Sequence, residues 1–158
     1  MPWTRFGRKR DIPGGLWTKC ESCGELIFRK DLEKRGLVCP ECNHHFTLLA
    51  RQRLAMTVDE GSFEEHWADL TTLDYLEFSD RVPYPEKIAQ TAKKTGENEA
   101  AVAGTAAIHG IPVAVAVLDF AFLGGSMGVV VGEKVARTVE LALERRLPLI
   151  TFTSSGGA

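Results

Sequence analysis

The apolar residues of the last third of the chain fall into short runs separated by turn residues. Residues 102–108 are small or β-branched, and residues 111–118 are apolar throughout. His109-Gly110 between the two runs predicts a tight turn, because glycine accepts positive φ. A run without polar alternation is typical of a strand buried on both faces. The pattern therefore predicts two consecutive core strands joined by a short turn.

A helical pattern follows these strands. Residues 127–146 predict a helix along which Val131, Val135, Val139 and Leu143 form one stripe, and Pro148 ends it. Residues 149–153 predict a third strand, and a glycine-rich turn comes next. The order is strand, strand, helix, strand, turn.

The middle of the chain, residues 48–99, reads as a helical connector. Leu49, Arg53 and Met56 predict one short helix, and Phe63 and Trp67 predict a second. A third is predicted for residues 85–95, since proline suits a first helical turn and a following glycine is a natural stop.

Charge separates the beginning of the chain from the rest. Residues 1–55 carry eleven Lys/Arg and six Asp/Glu, whereas residues 56–158 carry eight and fifteen. This asymmetry predicts a boundary near residue 55. The longest apolar run is too short to span a bilayer. Without an apolar signal segment, a soluble cytosolic protein is expected.

All cysteines of the chain fall into two Cys-x-x-Cys pairs with fifteen residues between them: Cys20, Cys23, Cys39 and Cys42. This spacing is typical of a tetrahedral structural zinc site, which leaves no open position for a substrate. Two disulfides would need an oxidising compartment, and a thioredoxin-like site would need only one pair. Short strands are predicted around residues 26–29, 36–38 and 45–48 of this module.

The first glycine cluster follows the second predicted strand: Gly124, Gly125, Ser126, Met127 and Gly128. Its spacing fits neither a dinucleotide fingerprint nor a phosphate-binding P-loop. Gly124, Gly128 and Gly132 recur every four residues, so on a helix they would form a bare face for close packing or for a ligand.

The second glycine cluster, Ser155-Gly156-Gly157-Ala158, directly follows the third predicted strand. Consecutive glycines there allow backbone N–H groups to point into one concavity, which can bind an oxyanion or an enolate. The alternative is an ordinary turn. No nucleophile–base pair stands at a readable spacing, so covalent catalysis by a side chain is not predicted.

Taken in order, these motifs resemble the carboxyltransferase beta subunits of bacterial acetyl-CoA carboxylase. The resemblance covers the whole chain and rests on the cysteine pairs, on Asp119-Phe120-x-Phe122-x-Gly124-Gly125-Ser126-Met127-Gly128 and on Ser155-Gly156-Gly157-Ala158, with support from Gly14-x-Leu16-Trp17-x-Lys19 and Pro83-Tyr84. Beta subunits of this family continue further, so we expect an incomplete domain.

The resemblance implies a mixed α/β, crotonase-like fold of strand–strand–helix units with an N-terminal zinc ribbon. Residues 1–18 would be a flexible arm, 19–47 the zinc ribbon, 48–99 the connector and 100–158 the start of the carboxyltransferase domain.

The resemblance also implies an enzyme activity: transfer of a carboxyl group from carboxybiotin to acetyl-CoA, which gives malonyl-CoA for fatty-acid biosynthesis. Backbone N–H groups of Gly156 and Gly157 would form the oxyanion hole, the cluster from Gly124 to Gly128 would bind the substrate, and biotin itself would be the base.

The cofactors and partners implied by the resemblance follow from this reaction. They are one structural zinc, biotin on a carrier protein, and ATP consumed by the partner biotin carboxylase. The implied partners are an alpha subunit in an α2β2 heterotetramer, the biotin carboxyl carrier protein and biotin carboxylase, in the cytoplasm and away from membranes.

A second hypothesis concerns the basic zinc module. It could bind nucleic acid in a regulatory role, with Phe28 and Phe46 stacking on bases. The alternative is that these aromatic residues pack around the metal.

Overall fold

The computed structural model describes residues 15–157, so most of the predicted arm and the final residue, Ala158, lie outside the described residues. The chain divides into two compact units, residues 1–47 and 48–158. The arm was predicted to reach residue 18, but a strand already begins at Trp17 because its backbone pairs with a second strand.

The first unit is small and contains one two-stranded sheet. Strand β1 (Trp17–Lys19) pairs antiparallel with β2 (Leu26–Phe28), and helix α1 (Arg29–Lys34) follows. The strands predicted around residues 36–38 and 45–48 reduce to one bridge between Val38 and His45. The second cysteine pair lies in a tight turn between these two segments, so they do not form a longer ladder.

The second unit is built on a four-stranded sheet in the order β3-β4-β5-β6. The strands are β3 (Glu64–His66), β4 (Ala101–Ile108), β5 (Ile111–Leu118) and β6 (Leu149–Phe152). The pairs β3–β4 and β4–β5 are antiparallel, whereas β5 and β6 are parallel and joined by a helix. The three core strands predicted from the apolar runs are confirmed.

Three helices accompany this sheet: α2 (Ala50–Thr57), α3 (Tyr84–Thr95) and α4 (Val129–Arg145). One apolar cluster joins α2 to alternate β5 residues such as Val113, Val115 and Val117. A second cluster joins Leu118 and Phe122 to α4. Helices thus cover both faces of the strands, which explains why β5 is apolar throughout.

The turn between β4 and β5 contains two residues, as predicted. His109 has φ 50° and Gly110 has φ 77°, the pairing of positive values that matches strand twist in a tight hairpin. The carboxylate of Asp59 accepts hydrogen bonds from the N–H groups of His109 at 2.9 Å and of Gly110 at 2.7 Å. The connector is therefore tied to the hairpin tip.

The prediction of a second connector helix at Phe63 and Trp67 is wrong. Residues 64–66 form β3, which pairs with the edge of β4, and Phe63 packs against the core. Backbone hydrogen bonds to an open sheet edge outweigh a weak helical pattern in so short a segment.

The predicted stripe on α4 faces the sheet only at its first turns. Val139 is 37% exposed and Leu143 is 74% exposed, whereas Lys134, Thr138 and Ala142 are buried. The small side chains of Thr138 and Ala142 allow the helix to approach the sheet closely. Lys134 is accommodated because its Nζ donates to the Ala101 carbonyl at 2.9 Å.

Among residues 15–157, no helix has both the length and the apolar character needed to cross a bilayer.

Candidate functional site

The four cysteines lie together in the first unit, as their spacing predicts. Their sulfur atoms all lie within 4.8 Å of one another. The Cys20–Cys42 and Cys23–Cys39 sulfur distances are 3.7 and 3.8 Å. A tetrahedral zinc with bonds of about 2.3 Å requires sulfurs about 3.8 Å apart. The site fits zinc, and all four cysteines are free thiols rather than disulfides.

Backbone amides favour the thiolate form at two of the four cysteines. The N–H of Cys23 is the main cause of a lowered pKa at Cys20, and the N–H of His44 lowers the pKa of Cys42 to about 7. Thiolates are the form that binds zinc, so these N–H groups favour the ligating state. Cys20 and Cys39 also belong to the buried core of the ribbon, which makes the metal site part of its packing.

The two glycine clusters lie in the second unit, and the fold brings them into contact. Strands β5 and β6 are parallel neighbours, so the loops after their carboxyl ends meet at one edge of the sheet. The Gly156 N–H donates to the Gly124 carbonyl at 2.9 Å, and the Met127 N–H donates to the Gly157 carbonyl at 3.3 Å. No motif in the sequence indicates that the two clusters bond to each other.

Gly125 shows how tightly the two loops pack. Gly125 is buried and has φ 66°. A Cβ at this position would overlap the carbonyl oxygen of Ser154. The first cluster therefore needs glycine here for contact with the second cluster.

The helical reading of the four-residue glycine repeat is wrong. Gly124 lies in a short 3-10 turn (Leu123–Gly125) with φ 68°, and Gly128 is the residue that precedes α4. Only Gly132 is helical. The tight turns at the end of β5 use the conformational freedom of these glycines, so they do not form one bare helix face.

Both amides of the second cluster already have hydrogen-bond acceptors. The Gly156 N–H is held by the Gly124 backbone carbonyl. The Gly157 N–H is held by the Ser155 hydroxyl, with a nitrogen-to-Oγ distance of 3.0 Å. A hydroxyl turns about one side-chain bond, whereas a backbone carbonyl is fixed. The Gly157 amide is therefore the one that a ligand can reach more readily.

Two cavities flank the first cluster. One, of about 330 Å³, is mostly apolar and lies between α4 and the ends of β5 and β6. The other, of about 440 Å³, lies towards α3 and is lined in part by Tyr84, Lys87 and Glu99. Gly128 lines both cavities, Met127 the first and Ser126 the second. Three of the five predicted substrate-binding residues thus border partly open cavities, whereas Gly124 and Gly125 line neither of the two.

Sequence reasoning missed several residues around this site. Lys87 and Glu99 line the second cavity from the connector, where no motif marks them, and Tyr84, which also lines it, was noted only as part of the Pro83-Tyr84 segment. Ser155 was named only as part of the glycine motif. A serine two residues before a glycine amide is a recognisable turn signal, because its hydroxyl can bond that amide.

Comparison with known proteins places this architecture in a family. The sequence profile of the carboxyl transferase domain matches residues 44–158, and that of the acetyl-CoA carboxylase zinc finger domain matches residues 17–42. The chain belongs to the carboxyl transferase domain family and carries the zinc ribbon of acetyl-CoA carboxylases. The family predicted from the motifs is confirmed.

A curated relative is the acetyl-coenzyme A carboxylase carboxyl transferase subunit beta of Citrifermentans bemidjiense. It is 49% identical over 147 residues, which are 93% of this chain and 52% of the relative. The chain therefore spans about half the length of this relative.

Solved structures support the fold. Transcarboxylase 12S, crystallised with methylmalonyl-coenzyme A and methylmalonic acid, has 30% identity and a TM-score of 0.54, covering 82% of this chain and 21% of that one. A single-chain long-chain acyl-CoA carboxylase has 28% identity and a TM-score of 0.57, covering 70% and 11%. The mixed α/β, crotonase-like carboxyltransferase fold is confirmed.

Proposed function

We propose that this chain is part of the carboxyltransferase of acetyl-CoA carboxylase and acts in the formation of malonyl-CoA for fatty-acid biosynthesis. The observation that carries the proposal is the 49% identity to a beta subunit along 93% of the chain. The ribbon and the paired glycine loops, the features that the motifs of this family specify, are both formed.

Carboxylated biotin on a carrier protein supplies the carboxyl group in this reaction. The methyl carbon of acetyl-CoA forms a bond to the carboxyl carbon. One proton of the methyl group passes to the biotin nitrogen from which the carboxyl group departed. Charge builds on the thioester oxygen during the transfer. The chain has to stabilise that charge, and removal of one preplaced donor typically slows such a step about 10²–10³-fold.

We assign the donor role to the second glycine cluster. Gly157 offers the amide whose present acceptor, the Ser155 hydroxyl, can turn away. The bond from Gly156 to Gly124 fixes the turn beside it. The turn is exposed, so a thioester can approach it. Gly156 would become a second donor if its N–H exchanged the Gly124 carbonyl for the thioester oxygen.

We assign substrate binding to the first cluster and its two cavities. The apolar cavity of about 330 Å³ suits an acyl or pantetheine segment. The cavity of about 440 Å³ contains Lys87, a cation that can pair with an anionic part of the ligand.

The remaining parts of the proposal concern partners. We place the chain with an alpha subunit in a heterotetramer, with a biotin carboxyl carrier protein, and with a biotin carboxylase that uses the ATP, all in the cytoplasm. Exposed apolar side chains on α4, including Val129 at 79% and Leu143 at 74%, support contact with further protein.

The test is steady-state kinetics of malonyl-CoA formation by the assembled carboxyltransferase that contains this chain. Gly157→Ala should turn the amide away from its present orientation, because side-chain-bearing residues rarely adopt φ 138°. It should therefore lower kcat about 100-fold and change KM for acetyl-CoA little, because the donor meets charge that develops only during reaction. Gly61→Ala is the matched control. Gly61 also has positive φ, with open space around it, but lies outside the site. Absence of transfer by the wild-type assembly, or full turnover by a folded Gly157→Ala protein, contradicts the proposal.

The nucleic-acid hypothesis gains no support from the described residues. Phe46 packs against the buried ribbon core, and the Phe28 ring lies edge-on to Trp17 with centroids 5.5 Å apart. The Phe46 contact matches the packing alternative, whereas Phe28 contacts the exposed Trp17 and is not among the residues packed on the cysteine core.

A further inference from the structure

The Ser155 side chain closes a small ring of hydrogen bonds on Gly157. Its Oγ accepts from the Gly157 N–H at 3.0 Å, and its hydroxyl donates to the Gly157 carbonyl at 2.9 Å. Ser155 is exposed, so this hydroxyl has water as a competing partner. Both polar groups of one glycine are thus held by one side chain.

Hydrogen bonds hold this turn among the described residues. Gly157 has φ 138°, a backbone conformation that side-chain-bearing residues rarely adopt. Its carbonyl receives one further bond, from the Met127 N–H, and that bond is long at 3.3 Å. Gly157 would otherwise sample many conformations, since glycine has the freest backbone of all residues. The orientation of its N–H therefore depends on Ser155.

We propose that Ser155 is a positioning residue, whose hydroxyl holds the Gly157 amide in the orientation that receives the thioester oxygen. This inference rests on the proposed function. The Oγ atom takes the acceptor position on the N–H until substrate arrives. The thioester oxygen then accepts from the N–H in place of Oγ, while the hydroxyl keeps its bond to the Gly157 carbonyl and so still holds the residue. No covalent bond to serine forms in this exchange.

The expected kinetic effect follows from when the amide is needed. In Ser155→Ala the amide bonds to water and the turn samples more conformations. Because water replaces the hydroxyl as the competing acceptor, ground-state binding changes little. Stabilisation of the developing charge weakens, so kcat should fall about tenfold while KM for acetyl-CoA stays within about twofold. Ser155→Thr retains the hydroxyl and should restore most of the turnover.

The test combines these kinetics with hydrogen exchange. In the assembled enzyme, the Gly157 amide should exchange faster in Ser155→Ala than in the wild type or in Ser155→Thr. Thr91→Ala is the control, since it also removes one hydroxyl-to-backbone bond, at 2.8 Å, on a partly exposed residue of α3. It should change neither turnover nor exchange at Gly157.

Each outcome bears on one statement. A Ser155→Ala enzyme with wild-type kcat, or with a raised KM at unchanged kcat, overturns the positioning role. So does unchanged Gly157 exchange. A folded Ser155→Thr enzyme as slow as the alanine variant also contradicts it, because the hydroxyl would then not be the active feature. An inactive wild-type assembly instead overturns the proposed function, and the role assigned to Ser155 falls with it.

Discussion

Each of the two units of this chain is stabilised by a different kind of interaction. The ribbon has a buried core of only four residues, two of which are zinc ligands: Cys20, Ile27, Leu32 and Cys39. The sheet unit has two larger apolar clusters on opposite faces of its strands. A module as small as the ribbon cannot bury enough apolar surface to fold alone, so its folding energy comes from the metal.

The ribbon has a structural role, whereas the sheet unit contains the candidate site. The ribbon uses all four ligand positions of its metal and retains none for a substrate. The sheet unit places its glycine turns at the ends of two parallel strands, where backbone amides remain near the surface. These turns can be exposed because the apolar core between the sheet and its helices stabilises the strands that precede them.

The largest expected effect is loss of the metal. Cys39→Ser, or a strong chelator, should unfold the ribbon, since structural zinc contributes about 10–16 kcal/mol of apparent binding free energy in small modules. Metal analysis should find one zinc per wild-type chain and none per variant chain. Hydrogen exchange should rise in residues 17–46 and remain unchanged in β4 and β5. His45→Ala is the control, because His45 is not among the clustered ligands. A zinc-free wild type with a protected ribbon would contradict the assignment.

The next largest effect tests the apolar core of the other unit. Leu54 on α2 is only 3% exposed and packs against β4 and β5 residues. Leu54→Ala should lower the free energy of unfolding by about 2–5 kcal/mol, measured by urea denaturation, because it leaves a cavity. Met56→Ala on the same helix, at a residue 53% exposed, should change it by less than about 0.5 kcal/mol. Zinc content should be unaffected in both variants. Loss of zinc from Leu54→Ala would show that the two units are not stabilised separately.

Local patterns were sufficient to predict much of the fold. The β4–β5 hairpin was predicted because a continuous apolar run and a His-Gly turn act within a few residues of each other. The zinc site was predicted because ligand spacing reflects local geometry. By contrast, β3 has the sequence Glu-Glu-His and pairs with β4 through its backbone. Its side-chain partners, Thr105 for His66 and Arg51 for Glu65, are distant in sequence and leave no local pattern to read.

The candidate site was predicted only in its parts. Both glycine clusters were recognised, but the bond between Gly156 and Gly124 depends on β5 and β6 being neighbours. The sheet-facing side of α4 was also missed. Lys134 is buried there, against the usual preference of lysine for water, because a β4 carbonyl accepts from its ammonium group. Such compensation appears only in three dimensions.

Lys134 offers a smaller test within the sheet unit. Lys134→Ala should lower the free energy of unfolding by about 1–3 kcal/mol, measured by urea denaturation, since it leaves the Ala101 carbonyl without its partner.

The same lysine should make stability depend on pH. Burial lowers the pKa of Lys134, whereas an unfolded lysine has a pKa of about 10.4. Between these pKa values the unfolded chain binds more protons, so stability of the wild type relative to Lys134→Met should rise with pH. Lys93→Met, at an exposed lysine of α3, is the control. A pH-independent difference would contradict this account.

The smallest expected effect concerns Asp59, which links the connector to the β4–β5 turn. The N–H groups of Gly110 and then His109 lower the pKa of the Asp59 carboxyl. A lowered pKa stabilises the fold above the unfolded value of about 3.9, and this contribution is lost as the pH falls through the lower folded pKa. Asp59→Asn should therefore reduce the urea midpoint slightly at pH 7, and the difference from the wild type should disappear in strong acid. Glu60→Gln, its exposed neighbour, should show no such convergence. A difference that persists unchanged in strong acid would mean that shape rather than charge holds the hairpin tip. Zinc release from the ribbon has to be monitored in the same titration, because its thiolates also take up protons in acid.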